Sequence, residues 1–415
     1  MKKVAVLGGS GAFTPALARA LAARADELPE LELVLLGLDA GRTRLVAEAC
    51  ARFAGARGVR HRYATALELE RALSGADVVV NQVRPGGLAG RASDETFPLE
   101  FDLPGDETLG PGGLAAAMRG AAAVRTLCEA AARHAPQAWF VQLTNPMSIL
   151  LATLGDLIGP RVFGLCELPG ETLRRAVALL GLGVGEVECD YAGLNHQGWF
   201  YRLEHAGADL RPALFAALEA AGEPGFFRVP VARMRELGAL PLPYLALELE
   251  PRAAVARQQA RAGTRAAELA GLGARLFASY AAGGAELPDE LTARATPWYD
   301  QALVPALVAL LGGPAAELYI SEPNRGHLPQ LPDEAVVEKR ALLDTRGVHA
   351  LPLRTPVPAH LAIRIRSAQR FEALAARCAR EPAPGRVVEA LAALPGGVSA
   401  GRLAALAERV LEAAR

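Results

Sequence analysis

The chain has 415 residues, 51% of them hydrophobic, and a formal net charge of −1 from 44 basic and 45 acidic side chains. That balance argues against a nucleic-acid surface or an anionic membrane as partner, and the length suits two domains with a sizeable core. Five cysteines, at 50, 128, 166, 189 and 378, stand singly without CxxC spacing, which points to a reducing cytoplasm rather than a disulfide framework. The apolar run after Met1 breaks at Gly8, too early for a signal peptide. Long Ala/Leu stretches such as 112–132 carry Arg and Glu at helical spacing, so they read as core helices and not membrane spans.

In chain order, residues 3–7 form a first strand, followed by a glycine turn. A helix then runs from Pro15 to about Arg24, with Thr14 as its N-cap and Pro15 at its first position. Leu31–Leu36, Asp77–Val83, Ala138–Leu143 and Arg161–Leu165 are four further strands, separated by helical patterns. After about residue 170 the rhythm changes. Strands over Val187–Gly193 and Trp199–Leu203 precede Ala-rich helices at 211–222, 251–280, 297–312, 357–380 and 398–414, with loops at 283–288 and 381–385. The expectation is an α/β chain. Residues 1–170 make a Rossmann-type, doubly wound parallel sheet, and residues 171–415 a mixed, largely helical α+β domain. The site belongs between them, beyond the carboxyl ends of the strands.

Gly8-Gly9-Ser10-Gly11 lies at the first strand-to-helix junction, where glycine lets a backbone approach a pyrophosphate. An ordinary turn would look the same. Asp39, after the second strand, either accepts from a ribose 2′-hydroxyl, favouring NAD over NADP, or caps the next helix. Asn81–Gly87, Arg91–Glu95 and Gly105–Gly113 concentrate glycine and charge after a parallel strand. Such a segment either lines a site, with arginine forks for phosphate or carboxylate, or is a solvated loop with local ion pairs. Asn145, in Thr144-Asn145-Pro146, either grips a hydroxyl or the nicotinamide edge, or makes a plain turn.

Cys166 and His196 stand at two strand ends. Each alone reads as structural; together they resemble half of a metal site with positions left open. Tyr244, between rigid prolines, reads as a packing tyrosine, because phenol is a poor base at a pKa of about 10 unless a cation lowers it.

Taken together, these segments resemble glycoside hydrolase family four, NAD- and metal-dependent glycosidases that share the lactate/malate dehydrogenase fold. The likeness rests on GGS-x-x-x-TP at Gly8–Pro15, N-x-V-R-x-GG-x(3)-R-x-x-DE-x-x-PL at Asn81–Leu99 and G-x-ET-x-GPGG at Gly105–Gly113. It continues through TNP at 144–146, GLC at 164–166, GLNH at 193–196, the segment carrying Tyr244-Leu245, and N-x-G…LP-x-x-x-VVE at 324–338. The resemblance implies oxidation at C3 of a sugar, proton removal at C2, elimination at C1, addition of water and return of the hydride, with no net redox. It implies NAD on Gly8, Gly9, Gly11, Asp39 and Asn81, and a divalent metal, usually manganese in the family, on Cys166 and His196. It further implies Tyr244 as the base, with Arg91, Asn145, Asn195 and Arg294 on a sugar or sugar-phosphate substrate and Glu107 nearby. A homodimer or homotetramer is implied by analogy.

Three positions depart from the family pattern. Glu167 follows the cysteine where the family places Asn, Asp or His; it is either an acid for the leaving oxygen or a helix-cap residue. Arg294-Ala295-Thr296 replaces an RGG, and Gly37 replaces an acid after the second strand. The expected activity is that of a 6-phospho-β-glucosidase. The alternatives are a glycosidase for α-linked or unphosphorylated substrates, a dehydrogenase with net redox, and a non-catalytic binding protein.

Overall fold

Short, mostly continuous apolar runs fold as strands covered on both sides. These are β1 (Lys2–Leu7), β2 (Leu31–Leu36), β3 (Arg62–Ala66), β4 (Val78–Asn81), β5 (Trp139–Gln142) and β6 (Val162–Leu165). They pair in parallel in the order β3-β2-β1-β4-β5-β6, the doubly wound arrangement. Val4 and Val6 pack on one face with helices 15–22, 40–56 and 304–310. Ala5 and Leu7 pack on the other with helices 110–134 and 147–154. The structure, a computed structural model, describes every residue except 223, 224, 292, 293 and 295.

The sheet does not stop at β6. The later strands are β7 (Glu188–Leu194), β8 (Gln197–His205), β9 (Ala208–Asp209), β10 (Leu240–Pro241), β11 (Ala316–Pro323), β12 (Val336–Asp344) and β13 (Gly347–Ala350). β11 joins β6 antiparallel, with Ile320 opposite Leu165, and the sheet continues β12-β7-β8-β10 to thirteen strands. In that register Gly164 faces Ser321, Ser321 faces Glu338, and Glu338 faces Gly193. The parallel strands all precede residue 166, and the antiparallel ones all follow 187.

Several elements differ from the expectation. Pro15 does open its helix, but the Thr14 hydroxyl makes no cap; it accepts from Gln82 Nε2 at 3.0 Å. The charged segment after β4 folds largely as a helix, Gly87–Thr96, which puts Arg91 and Glu95 one turn apart on one face. The helix expected over 251–280 is two, Pro251–Gln259 and Arg265–Ala282, the second capped by the Thr264 hydroxyl on the Ala267 N–H. β3, β11, β12, β13 and the helix Pro384–Ala392 have no counterpart in the expected pattern. Among the described residues no helix is long and apolar enough to cross a membrane.

Candidate active site

The chain segments leaving β1, β4, β5 and β6 open into one cleft of about 2580 Å³. Gly8 begins it in the left-handed region, φ +82°, and a Cβ there would lie 3.1 Å from the Gln82 backbone. Gly8 and Gly11 line the cleft; Gly9 lies behind them, where a Cβ would meet Leu35 Cβ at 2.8 Å. Asn81 does not reach the cleft. It is wholly buried, donates to Gln142 Oε1 at 2.7 Å and accepts the Val83 N–H at 3.1 Å, so its amide braces the ends of β4 and β5. Asp39 lines the cleft and makes the cap that was the alternative reading, accepting the Arg42 N–H at 2.9 Å.

Cys166 lies just past β6 and is buried, with its Sγ accepting the Leu168 N–H at 3.4 Å. His196 comes from the two-residue turn Asn195-His196 between β7 and β8. It holds φ +65°, a conformation that costs a side chain about 1–2 kcal/mol and is commonest in glycine. Its ring stacks on Tyr244, centroids 4.3 Å apart and 27° between planes. Cys166, His196, Tyr244 and Asn145 all line the cleft, so the structure brings together residues up to 99 positions apart (145 to 244).

Burial sets the protonation states here. It pushes the Cys166 thiol up, with Glu167 and Glu338 adding to the effect. Burial, and then Arg228, depress His196 to about 3, so its imidazole is neutral. Burial raises Tyr244 to about 12. His196 Nδ1, Asn145 Oδ1 and Asn195 Oδ1 are buried without hydrogen-bond partners. A thiol, a neutral imidazole and unpartnered amide oxygens fit a divalent cation, whose charge would favour thiolate and lower a neighbouring phenol. Among the described residues no third His, Cys, Asp or Glu completes a ligand group, so a cation there would keep positions open for substrate oxygens.

The polar wall of the cleft is built from the glycine-rich segment. Glu107 pairs with Arg84 and with Arg91 Nη1 at 2.9 Å, while Arg91 Nε reaches Glu95 at 2.7 Å. Burial and the neighbouring Arg91 and Arg294 lower Arg84 to about 9. Arg294 is held between the rings of Phe13 and Trp298, at 4.3 and 4.5 Å from their centroids. Among the described residues no carboxylate pairs with it, and burial, with Arg91 close by, lowers it to about 10. Ala295, in the segment that departs from the family pattern, lies outside the described residues. Glu167 precedes helix 168–178 without capping it by side chain; burial raises its carboxyl, and Oε2 lies 4.0 Å from Cys166 Sγ.

Asn195 does not line the cleft surface. Its Nδ2 donates to Glu338 Oε1 at 3.0 Å, and the amide also hydrogen-bonds the Cys166 sulfur. Glu338 is wholly buried, takes the Tyr191 hydroxyl on its other oxygen, and is raised by burial to about 7. Beyond it Gln197 Nε2 donates to Glu372 Oε1 at 3.0 Å. The sequence assigned Asn195 to the substrate and gave the rest of this network no role. Glu338 ends the VVE segment, which was the one available signal; Tyr191, Gln197 and Glu372 carry no local pattern.

Residues 3–181 match the profile of the family 4 glycosyl hydrolases, and residues 191–395 that of the family 4 glycosyl hydrolase C-terminal domain. The chain is 27% identical over 365 residues to 6-phospho-beta-glucosidase of Escherichia coli K12, across 84% of this chain and 81% of that protein. It is 32% identical over 214 residues to maltose-6′-phosphate glucosidase of Bacillus subtilis 168, across 51% of this chain but only 48% of that relative's length. The structure of the 6-phospho-beta glucosidase of Thermotoga maritima with manganese, NAD+ and glucose-6-phosphate superposes with a TM-score of 0.89 at 26% identity, covering 100% of this chain and 98% of that one. The two profile matches together span the chain from the first strand to residue 395, and the chain belongs to the family 4 glycosyl hydrolases.

Proposed function

We propose that this chain hydrolyses 6-phospho-β-glucosides with NAD and a divalent metal ion, manganese by relation. The observation that carries the reading is a single cleft that begins at the Gly8 turn and also holds Cys166, His196 and Tyr244. The names of the E. coli and T. maritima relatives support the β-linked phosphorylated substrate. So does Arg294, a largely buried cation without a carboxylate partner among the described residues, which calls for an anion from the ligand. We assign residues 1–170 to the dinucleotide, with Arg91, Asn145 and Cys166 at their border with substrate and metal, and 171–415 to the remaining metal and substrate contacts and to oligomer contacts. The five free, buried cysteines support a cytoplasmic setting, and a homodimer or homotetramer is the proposed assembly.

A bound nicotinamide would take and return the C3 hydrogen as hydride, and a divalent ion would draw charge from the sugar's C2 and C3 oxygens. Cys166 and His196 would hold that ion, and Asn195 would keep the sulfur oriented. Tyr244, stacked on His196, takes the C2 proton once its hydroxyl is acidified from its metal-free state of about 12. Glu167, whose carboxyl burial raises, would give a proton to the leaving oxygen. Arg91, Asn145 and Arg294 orient the sugar and its phosphate.

Hydrolysis of nitrophenyl 6-phospho-α- and β-glucosides, with NAD, Mn²⁺ and a thiol reductant each added or withheld, tests this reading. Activity on the β-anomer needing all three and lost in Cys166→Ser is expected. Full turnover without NAD or metal rejects the mechanism; preference for the α-anomer rejects the substrate.

A further inference from the structure

In a sheet of this topology the end of β2 selects the dinucleotide. A carboxylate there bonds the ribose 2′-hydroxyl and repels a 2′-phosphate, whereas a nearby arginine receives that phosphate. Here β2 ends in Leu36-Gly37. A Cβ on Gly37 would lie 2.2 Å from Thr43 Oγ1, 2.6 Å from Ser10 Cβ and 2.7 Å from Ser10 Oγ, so no acid fits at that place and a serine hydroxyl stands beside it. The next acid, Asp39, is engaged by its own helix, with Oδ1 accepting the Arg42 N–H at 2.9 Å. Arg42 lies in the first turn of that 17-residue helix and lines the cleft with Ser10, Gly37 and Leu38. Its side chain is 65% exposed, and its guanidinium carbon sits 5.4 Å from the Phe277 ring centroid. Its ion-pair partner is Asp39, through Nε at 3.7 Å. That contact is exposed and long, worth little, and leaves the outer edge of the fork free for two parallel bonds to a phosphate.

We infer that the adenosine end of this cleft admits a 2′-phosphate, received by the Arg42 guanidinium and the Ser10 hydroxyl, and that NADP+ binds this chain at least as tightly as NAD+. The inference rests on the reading that the cleft holds a nicotinamide dinucleotide. Calorimetric titration of the full chain with NAD+ and with NADP+ tests both. A Kd for NADP+ equal to or below that for NAD+ is expected. Arg42→Ala should raise the ratio of the NADP+ Kd to the NAD+ Kd about tenfold or more, the worth of one charge-assisted hydrogen bond. Binding of NAD+ tighter than NADP+, or an unchanged ratio in Arg42→Ala, overturns the inference and leaves the dinucleotide reading standing. Binding of neither overturns both.

Discussion

His196 occupies a backbone conformation that glycine or asparagine would hold with less strain, and it does so buried, neutral and with Nδ1 unpartnered. Strain and an unsatisfied atom at one residue mark a site whose order answers to a ligand rather than to folding alone. Cys166 and His196 were legible because each ends an apolar strand in a short polar break. Asn81 was assigned to NAD through the family resemblance, yet its amide closes on Gln142, a partner 61 residues away that no local pattern announces. Glu372 was not legible at all, and it has a measurable signature. Burial raises its carboxyl from 4.5 to about 8. A carboxyl raised on folding contributes most to stability below pH 4.5, and that contribution is lost as pH climbs through about 8. Glu372→Gln, which keeps the shape and the acceptor for Gln197, should therefore melt a few degrees above the parent at pH 9. It should show no such gain at pH 5, as followed by thermal denaturation at both values.

At the scale of elements, most of the parallel strands announce themselves through interiors rich in Val, Leu and Phe. β11 and β12 do not, because β12 carries Glu338, Lys339 and Arg340 in succession. Those charges are tolerated only through tertiary partners. Lys339 pairs with Glu322 of β11 at 3.0 Å and donates to the Pro323 carbonyl at 2.8 Å, while Glu338 takes Tyr191 and Asn195. A pattern of local hydrophobicity cannot see such compensation. The helix Pro384–Ala392 was hidden in the same way, its Pro384-Gly385 start resembling a loop although proline suits the first helical position. β12 thus brings the anchor for Asn195 to the side of the cleft that carries Cys166 and His196. Glu338→Gln should weaken Mn²⁺ binding by about 10–100-fold, as loss of an outer-shell partner does. Free Mn²⁺ measured by electron paramagnetic resonance during titration reads this directly, and unchanged affinity would remove Glu338 from the site.

At the scale of the molecule, the Rossmann half was readable from its strand–helix alternation, whereas its junction with the rest was not, because antiparallel pairing of β6 with β11 joins segments about 155 residues apart. The N-terminal half ends on that junction. Produced alone, residues 1–170 would present β6 as a bare edge with Phe163 and Leu165 deprived of their neighbours. Such a fragment should aggregate or remain incompletely folded, as judged by size-exclusion chromatography and near-ultraviolet dichroism; a monomeric, cooperatively melting fragment would contradict this.

The unbroken sheet also limits how the cleft can move. Two lobes joined by a linker can swing shut about a hinge, but lobes that share a hydrogen-bonded floor cannot rotate without tearing its rungs. Opening and closing must then come from the short pieces of chain above that floor, among them Gly225, Phe226, Arg228 and residues 261–265, which line the same cleft. The pace at which sugars enter and leave is therefore a property of a few local segments, and stiffening one of them changes turnover without disturbing the fold.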